Sequence, residues 1–174
     1  TAGIVIFQAF FLWGLIAHYY TPCGPSVLGR ENCRLPAYQN LEIAQPPQVM
    51  LTADAALEQE FNNTCVDLRA VEVLIGDLSV DVDGVLEMAL IAPDGTAVAN
   101  QTVDAGALTP NQAIMLDVPT DAGLSRGIYV IRLDAAGLRG EVGVGVREPD
   151  VYPGGGLTAG GSVVDGDTVF FYTC

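Results

Sequence analysis

Three carboxylates, Asp77, Asp81 and Asp83, have a spacing that could support metal chemistry. They recur at odd positions in the segment IGDLSVDVDG, so they project to one side if this segment is extended. Calcium takes about six to eight oxygen ligands, and carboxylates in the loops of a β-sandwich can supply them. These aspartates are therefore a candidate Ca²⁺ site. The alternative is a solvated strand face with Asp-Gly turns such as Asp83-Gly84.

His18 is the single histidine of the chain, and it lies within an apolar segment. Ionisable residues inside a membrane are candidate functional residues, so His18 could ligate a haem or a chlorophyll-type pigment of a partner protein. Its position beside Tyr19 and Tyr20 favours instead an imidazole that reaches the membrane interface. One histidine also excludes a Ser-His-Asp triad in the rest of the chain. No P-loop, G-x-S-x-G or H-E-x-x-H motif occurs, so we expect no catalytic residues, no bound cofactor and no enzyme.

The number and spacing of the cysteines indicate an oxidising compartment. There are four, an even number, without a C-x-x-C pair or a histidine cluster, which favours two disulfides over a zinc site. Three pairings are open for Cys23, Cys33, Cys65 and Cys174. We favour Cys23–Cys33, which closes a small loop, and Cys65–Cys174, which ties an early strand to the last residue. Disulfides predict that the cysteine-bearing part of the chain lies outside the cytoplasm.

Residues 1–20, TAGIVIFQAFFLWGLIAHYY, are expected to form a membrane anchor. They contain no Asp, Glu, Lys or Arg, and as a helix they would extend roughly 30 Å, the thickness of the hydrocarbon core of a bilayer. A cleaved signal peptide is the alternative, but no small-residue cleavage site follows. We predict a single-pass helix in the cell membrane, with a cytoplasmic N-terminus and a periplasmic or extracellular C-terminal part, that contacts lipid and other membrane subunits. The residues expected to anchor it are Ile4, Phe7, Phe11, Trp13, Tyr19 and Tyr20.

All Asp, Glu, Lys and Arg residues lie beyond the predicted anchor. Asp and Glu number 21 against 7 Lys and Arg, giving a net charge of -14, and all seven cations are arginines. The first charged residue is Arg30, so the acidity belongs to the part beyond the anchor. Such a balance excludes a nucleic-acid partner. An acidic surface could attract a cationic soluble protein, because surface potential raises encounter rates.

The remaining sequence predicts a neck and a β-domain. Residues 21–47 are rich in Pro and Gly and have no clear period, so we interpret them as a disulfide-stapled neck before a domain over residues 48–174. Valines and glycines alternate in 140–146, and the nearly bare glycine face would let another backbone or side chain approach closely. Eight or more strands without a long helical period predict an all-β, jelly-roll-like antiparallel β-sandwich, with a ligand-binding barrel as the rival. The expected strands are 49–51, 56–61, 66–75, 85–91, 97–103, 113–118, 127–133, 140–146 and 168–173.

Two stretches carry a family resemblance. The segment QEFNNTCVDLRAVEVLI, residues 59–75, resembles the opening of bacterial extracytoplasmic jelly-roll domains, where a Gln-x-Phe strand precedes a strand here marked by Leu68, Val71 and Val73. The tail, with Tyr152-Pro153-Gly154-Gly155 and a final Asp167-x-x-Phe170 strand, is similar to the end of these domains, which contains a short hairpin. These domains resemble carbohydrate-binding modules and decorate surface proteins. The resemblance implies a jelly-roll fold and a binding role.

Together these features predict a non-catalytic accessory or structural subunit of a larger membrane protein complex. A respiratory or photosynthetic electron-transport complex is a host that fits. A surface-anchored carbohydrate-binding module is one alternative, although the sole tryptophan, Trp13, lies in the anchor rather than on the domain. A pilin-like filament subunit is another, although the apolar helix is expected to end at Pro22.

Overall fold

The fold comes from a computed structural model, which describes residues 34–36, 47–53, 55–63, 67–120, 122–124, 126–147, 155–168 and 170–173. The predicted anchor over residues 1–20, including His18, and all four cysteines lie outside these ranges. Within them, no helix has the length and apolar character needed to cross a membrane. The helical element that the structure does describe is a single 3-10 turn, Ala105–Ala107.

Strands make up most of the described chain, and the prediction of an all-β protein is confirmed. The strands are β1 (Arg34–Pro36), β2 (Gln48–Leu51), β3 (Ala56–Asn63), β4 (Ala70–Leu78), β5 (Asp83–Ile91), β6 (Ala97–Asp104), β7 (Ala113–Asp117), β8 (Gly127–Arg139), β9 (Val142–Arg147), β10 (Leu157–Ala159), β11 (Ser162–Val164), β12 (Asp167–Thr168) and β13 (Phe170–Thr173).

The strands form two antiparallel sheets. One has six strands in the order β11-β10-β3-β8-β5-β6. The other has seven strands: its path is β1-β13-β4-β9-β12, with β2 paired to β9 and β7 paired to β4. Buried side chains from both sheets belong to one hydrophobic core, so the arrangement is that of a β-sandwich.

Two-residue alternation decides which side chains enter this core. In β5, Leu86, Met88 and Leu90 are fully buried, while Val85 and Glu87 point to solvent. The aromatic rings bridge the two sheets, because Phe61 of β3 lies with its ring centroid 5.5 Å from Phe170 of β13. The same ring lies 5.7 Å from Tyr172. Aromatic contacts at these distances add to the burial of apolar area in holding the sheets together.

The glycine face of β9 is covered as the sequence predicts. A Cβ on Gly143 would overlap the side-chain oxygen of Gln48 and would lie 2.9 Å from the backbone nitrogen of Asp77. Gln48 Oε1 accepts a hydrogen bond from that backbone N–H at 2.7 Å. The absence of a side chain at Gly143 therefore lets β2 reach across β9 and bond to β4.

The strand predicted over 66–75 differs from the observed one in phase. In the sequence, the apolar residues Val66, Leu68 and Ala70 alternate with polar ones, but β4 begins at Ala70 and buries Val71, Val73 and Ile75. Leu68 is also buried, in the segment before the strand. A two-residue period cannot bury both Leu68 and Val71 on one face, so the alternation restarts at the beginning of β4.

Three further features of the strands lie outside the strand ranges expected from the sequence. β8 continues to Arg139 rather than ending at Leu133, because β5 pairs with it up to Asp83 across an irregularity between Val85 and Glu87. β10 and β11 form the short hairpin that the family resemblance implied. Residues 34–36, inside the predicted neck, form β1 and pair with β13 at the edge of the seven-stranded sheet.

Candidate functional site

The three aspartates of the candidate calcium site lie around one turn. Asp77 is near the end of β4, Asp81 is in the turn and Asp83 begins β5, and all three are exposed. Asp83 accepts a hydrogen bond from the Gly84 N–H at 2.7 Å and pairs with Arg139. In the part of the chain that the structure describes, no three His, Cys, Asp or Glu residues are grouped so as to hold a metal ion. Calcium binding here stays a prediction without a ligand cluster.

The turn between β4 and β5, residues 79–82, is held in place by a second turn at residues 140–141, between β8 and β9. Ser79 donates its backbone N–H to the Glu141 carbonyl at 3.0 Å, and its Oγ accepts the Glu141 N–H at 2.9 Å. The first turn is closed by a hydrogen bond from the Val82 N–H to the Ser79 carbonyl at 3.2 Å. Gly140 allows the close approach, because its φ is +83° and a Cβ there would lie 3.1 Å from Val82 Cα.

This end of the sandwich is strongly acidic. We call Asp77, Asp81, Asp83, Asp104 and Glu141 the acidic end. Asp104 and Asp83 each place an Oδ1 near the position that a Cβ on Gly106 would take, at 3.4 and 3.8 Å. Arg139, paired with Asp83, brings a positive charge to the acidic end. The acidic end therefore presents a negative potential on a backbone fixed by the two turns.

The outer face of the six-stranded sheet carries further charge. Arg132 of β8 lies 2.8 Å from a carboxylate oxygen of Asp134 and 3.7 Å from one of Glu58. Glu87 of β5 is directly opposite Asp134 in the strand pairing. Two carboxylates thus pair with one guanidinium, and the third, Glu87, lies on a neighbouring strand, so these four residues carry net negative charge.

Two described carboxylates have shifted pKa values, and both shifts keep them ionised. Hydrogen bonds from the Thr96 hydroxyl and backbone hold the pKa of Asp94 below its usual value of 3.8. The Ala136 N–H, with a smaller contribution from Arg132, likewise lowers the pKa of Asp134. Neither carboxyl is suited to donate a proton near neutral pH.

A buried polar group that was not predicted from the sequence links the two sheets. Gln59 of β3 is fully buried, and its Oε1 accepts the Thr168 N–H at 2.7 Å and the Thr168 hydroxyl at 3.2 Å. Its Nε2 donates to Asp167 Oδ1 at 3.2 Å and to the Glu60 carbonyl at 2.9 Å. We call Gln59, Asp167 and Thr168 the polar clamp. The period of two through Leu57, Gln59 and Phe61 could have indicated that Gln59 faces the core.

Comparison with known proteins identifies no family. No family model matches the chain. No curated protein matches it. A chain in the structure of infectious bursal disease virus, Gx strain, is similar at 14% sequence identity and a TM-score of 0.30, over 82% of this chain and 36% of that chain. A likeness this low supports no conclusion about fold or function.

Proposed function

We propose that the protein is a non-catalytic, single-pass membrane-anchored accessory subunit of a larger membrane protein complex. In this proposal residues 1–20 cross the cell membrane, and an acidic, jelly-roll-like sandwich lies on its periplasmic or extracellular side and contacts partner subunits. The observation that carries the proposal is the division of the chain, with no charged residue before Arg30 and a net charge of -14 beyond it. The exposed, turn-stabilised carboxylates of the acidic end offer a contact surface for a cationic protein.

The strand order supports the finer assignment of a jelly-roll-like sandwich. The chain passes from β3 in the six-stranded sheet to β4 in the seven-stranded sheet, and it changes sheet repeatedly up to β13. The last segment, β12 with β13, pairs with β9 and β4, strands far from it in sequence. Such non-sequential antiparallel neighbours are typical of jelly rolls and Greek keys.

Purification of the full chain from membranes in a mild nonionic detergent tests the proposed function. We expect the chain to co-migrate with other membrane proteins in constant stoichiometry, identified by mass spectrometry of the sized complex. A variant with Phe7→Asn and Phe11→Asn should lose these proteins if the anchor makes the contacts, whereas Asp117→Asn, an exposed position on β7 outside the acidic end, should retain them. Recovery of the chain alone, or as filaments in electron micrographs, contradicts the proposal, and the filaments would favour the pilin-like alternative.

A further inference from the structure

The charged residues of this chain have an unusual composition. The seven cations are all arginines, and 21 acidic residues oppose them. Among the acidic residues that the structure describes, Asp167 is the one that is buried, and the others are exposed or half-buried. Arginine is more weakly hydrated than lysine and pairs with carboxylates in a fixed geometry. The surface therefore has many hydrated carboxylates and no ammonium groups to neutralise them.

The strand pairing places two like charges opposite each other. Glu87 of β5 is opposite Asp134 of β8, and like charges directly opposite across a strand pair are destabilising. The guanidinium of Arg132 pairs with Asp134 and with Glu58, so it is shared between two carboxylates. Glu60 of β3 provides a contrast, because the residue opposite it is the uncharged Val130.

Ionic strength sets the cost of such contacts. The Debye length is about 10 Å at 0.1 M salt and about 3 Å at 1 M, so repulsion between exposed carboxylates is felt across the surface at low salt and is nearly lost at molar salt. A net charge far from zero destabilises the compact state through self-repulsion. The protein is thus expected to be stable only where cations are abundant.

We propose that this surface is fitted to a concentrated salt solution, and that the partner it accommodates is a diffuse layer of hydrated monovalent cations on which the folded state depends. No single group of carboxylates forms a site in this proposal; the whole acidic surface takes part. The inference does not depend on the membrane assembly. It also predicts that long-range attraction of a cationic protein is weak in the working medium, so partner contacts are made at short range.

Thermal unfolding of the full chain in nonionic detergent at 0.1 and 2 M KCl tests this inference. We expect the midpoint to rise by roughly 10 °C or more, the shift produced by a few kcal/mol in a domain of this size. A variant carrying Asp81→Asn, Glu87→Gln, Asp117→Asn and Asp165→Asn should be more stable at low salt and should gain less from KCl. An unchanged midpoint in the natural chain overturns the proposal. An equal gain in the fourfold variant also does, because it would show a salt effect unrelated to charge.

A pair of single variants gives the matched control. Glu87→Gln removes the contact with Asp134 and should raise the low-salt midpoint by more than Glu60→Gln, which removes the same charge opposite Val130. The difference between the two variants should disappear in 2 M KCl. If Glu60→Gln stabilises as much as Glu87→Gln, the contribution of the cross-strand repulsion is refuted.

Discussion

Replacement of Gln59 by leucine tests how much the polar clamp contributes to stability. Gln59 is fully buried, and leucine keeps most of the side-chain volume, so the change removes hydrogen bonds without creating a large cavity. Four hydrogen bonds are lost, and two of them join Gln59 to Thr168 across the two sheets. The variant therefore separates the effect of polar satisfaction from the effect of packing.

The magnitude follows from the groups left behind. A buried donor or acceptor that loses a partner costs about 1–3 kcal/mol, and an ordinary hydrogen bond contributes about 0.5–1.5 kcal/mol. The Thr168 N–H, bonded at 2.7 Å, and the Asp167 carboxylate, bonded at 3.2 Å, are the two groups most affected. We expect Gln59→Leu to lower the free energy of unfolding by about 3–5 kcal/mol.

Urea unfolding of the full chain at one fixed salt concentration measures this loss. Gln101→Leu makes the same chemical change on the half-buried edge strand β6 and should cost less than about 1 kcal/mol. Thr168→Val completes a double-mutant cycle, and coupling with Gln59→Leu should reach about 0.5–3 kcal/mol. The stabilising role of the polar clamp is refuted if Gln59→Leu lowers the free energy of unfolding no more than Gln101→Leu does. It is also refuted if the double-mutant cycle shows no coupling.

Three further predictions, made with five variants, test other parts of the structure. Gly140→Ala should lower the free energy of unfolding by about 1–3 kcal/mol, because Gly140 has a φ of +83° in a crowded turn. Gly95→Ala should lower it by about 1 kcal/mol, because Gly95 has a similar φ of +84° but no neighbour within 4 Å. The midpoints of urea unfolding compare the two variants. Phe61→Ala should cost about 3–5 kcal/mol and Ile128→Ala, 52% exposed, under about 1 kcal/mol, and similar losses would contradict the assigned core. The lowered pKa of Asp134 means that its stabilising contribution is complete above its usual pKa of 3.8 and is lost as pH falls through the folded value. In the Asp134→Asn variant, the free energy of unfolding should therefore fall less steeply as the pH is lowered below about 4. The same pH dependence in the variant and the natural chain would refute this role of Asp134.

Part of the fold could be predicted because several of its strands, such as β5, alternate in burial. Val142, Val144 and Val146 share one face in the sequence, and all three are buried in the structure. The prediction of a close neighbour on the glycine face was also confirmed at Gly143, by the side chain of Gln48. These features can be predicted from the local sequence. A strand that is buried on one face carries an apolar residue at every second position.

Other features could not be predicted because they depend on contacts distant in sequence. The alternation at Leu68 and Ala70 suggested the wrong phase for β4, whose register is set by pairing with β7 and β13. Gln59 was not recognised because its partners lie 108 and 109 residues further along the chain. The aspartates at 77, 81 and 83 are close in sequence, but the ion pair of Asp83 with Arg139 depends on the alignment of β5 and β8.

The position of the final strand has a consequence for folding. β13 pairs with β4 and β12 pairs with β9, and the polar clamp joins β12 to β3. A nascent chain that lacks residues 167–173 would hold β4 with an open edge and Gln59 without its partners on β12. Contacts of such long sequence separation slow folding, and open edges invite association with other chains. We therefore expect the domain to complete its fold only after residues 167–173 have been synthesised, and its open strand edges to be prone to association until then.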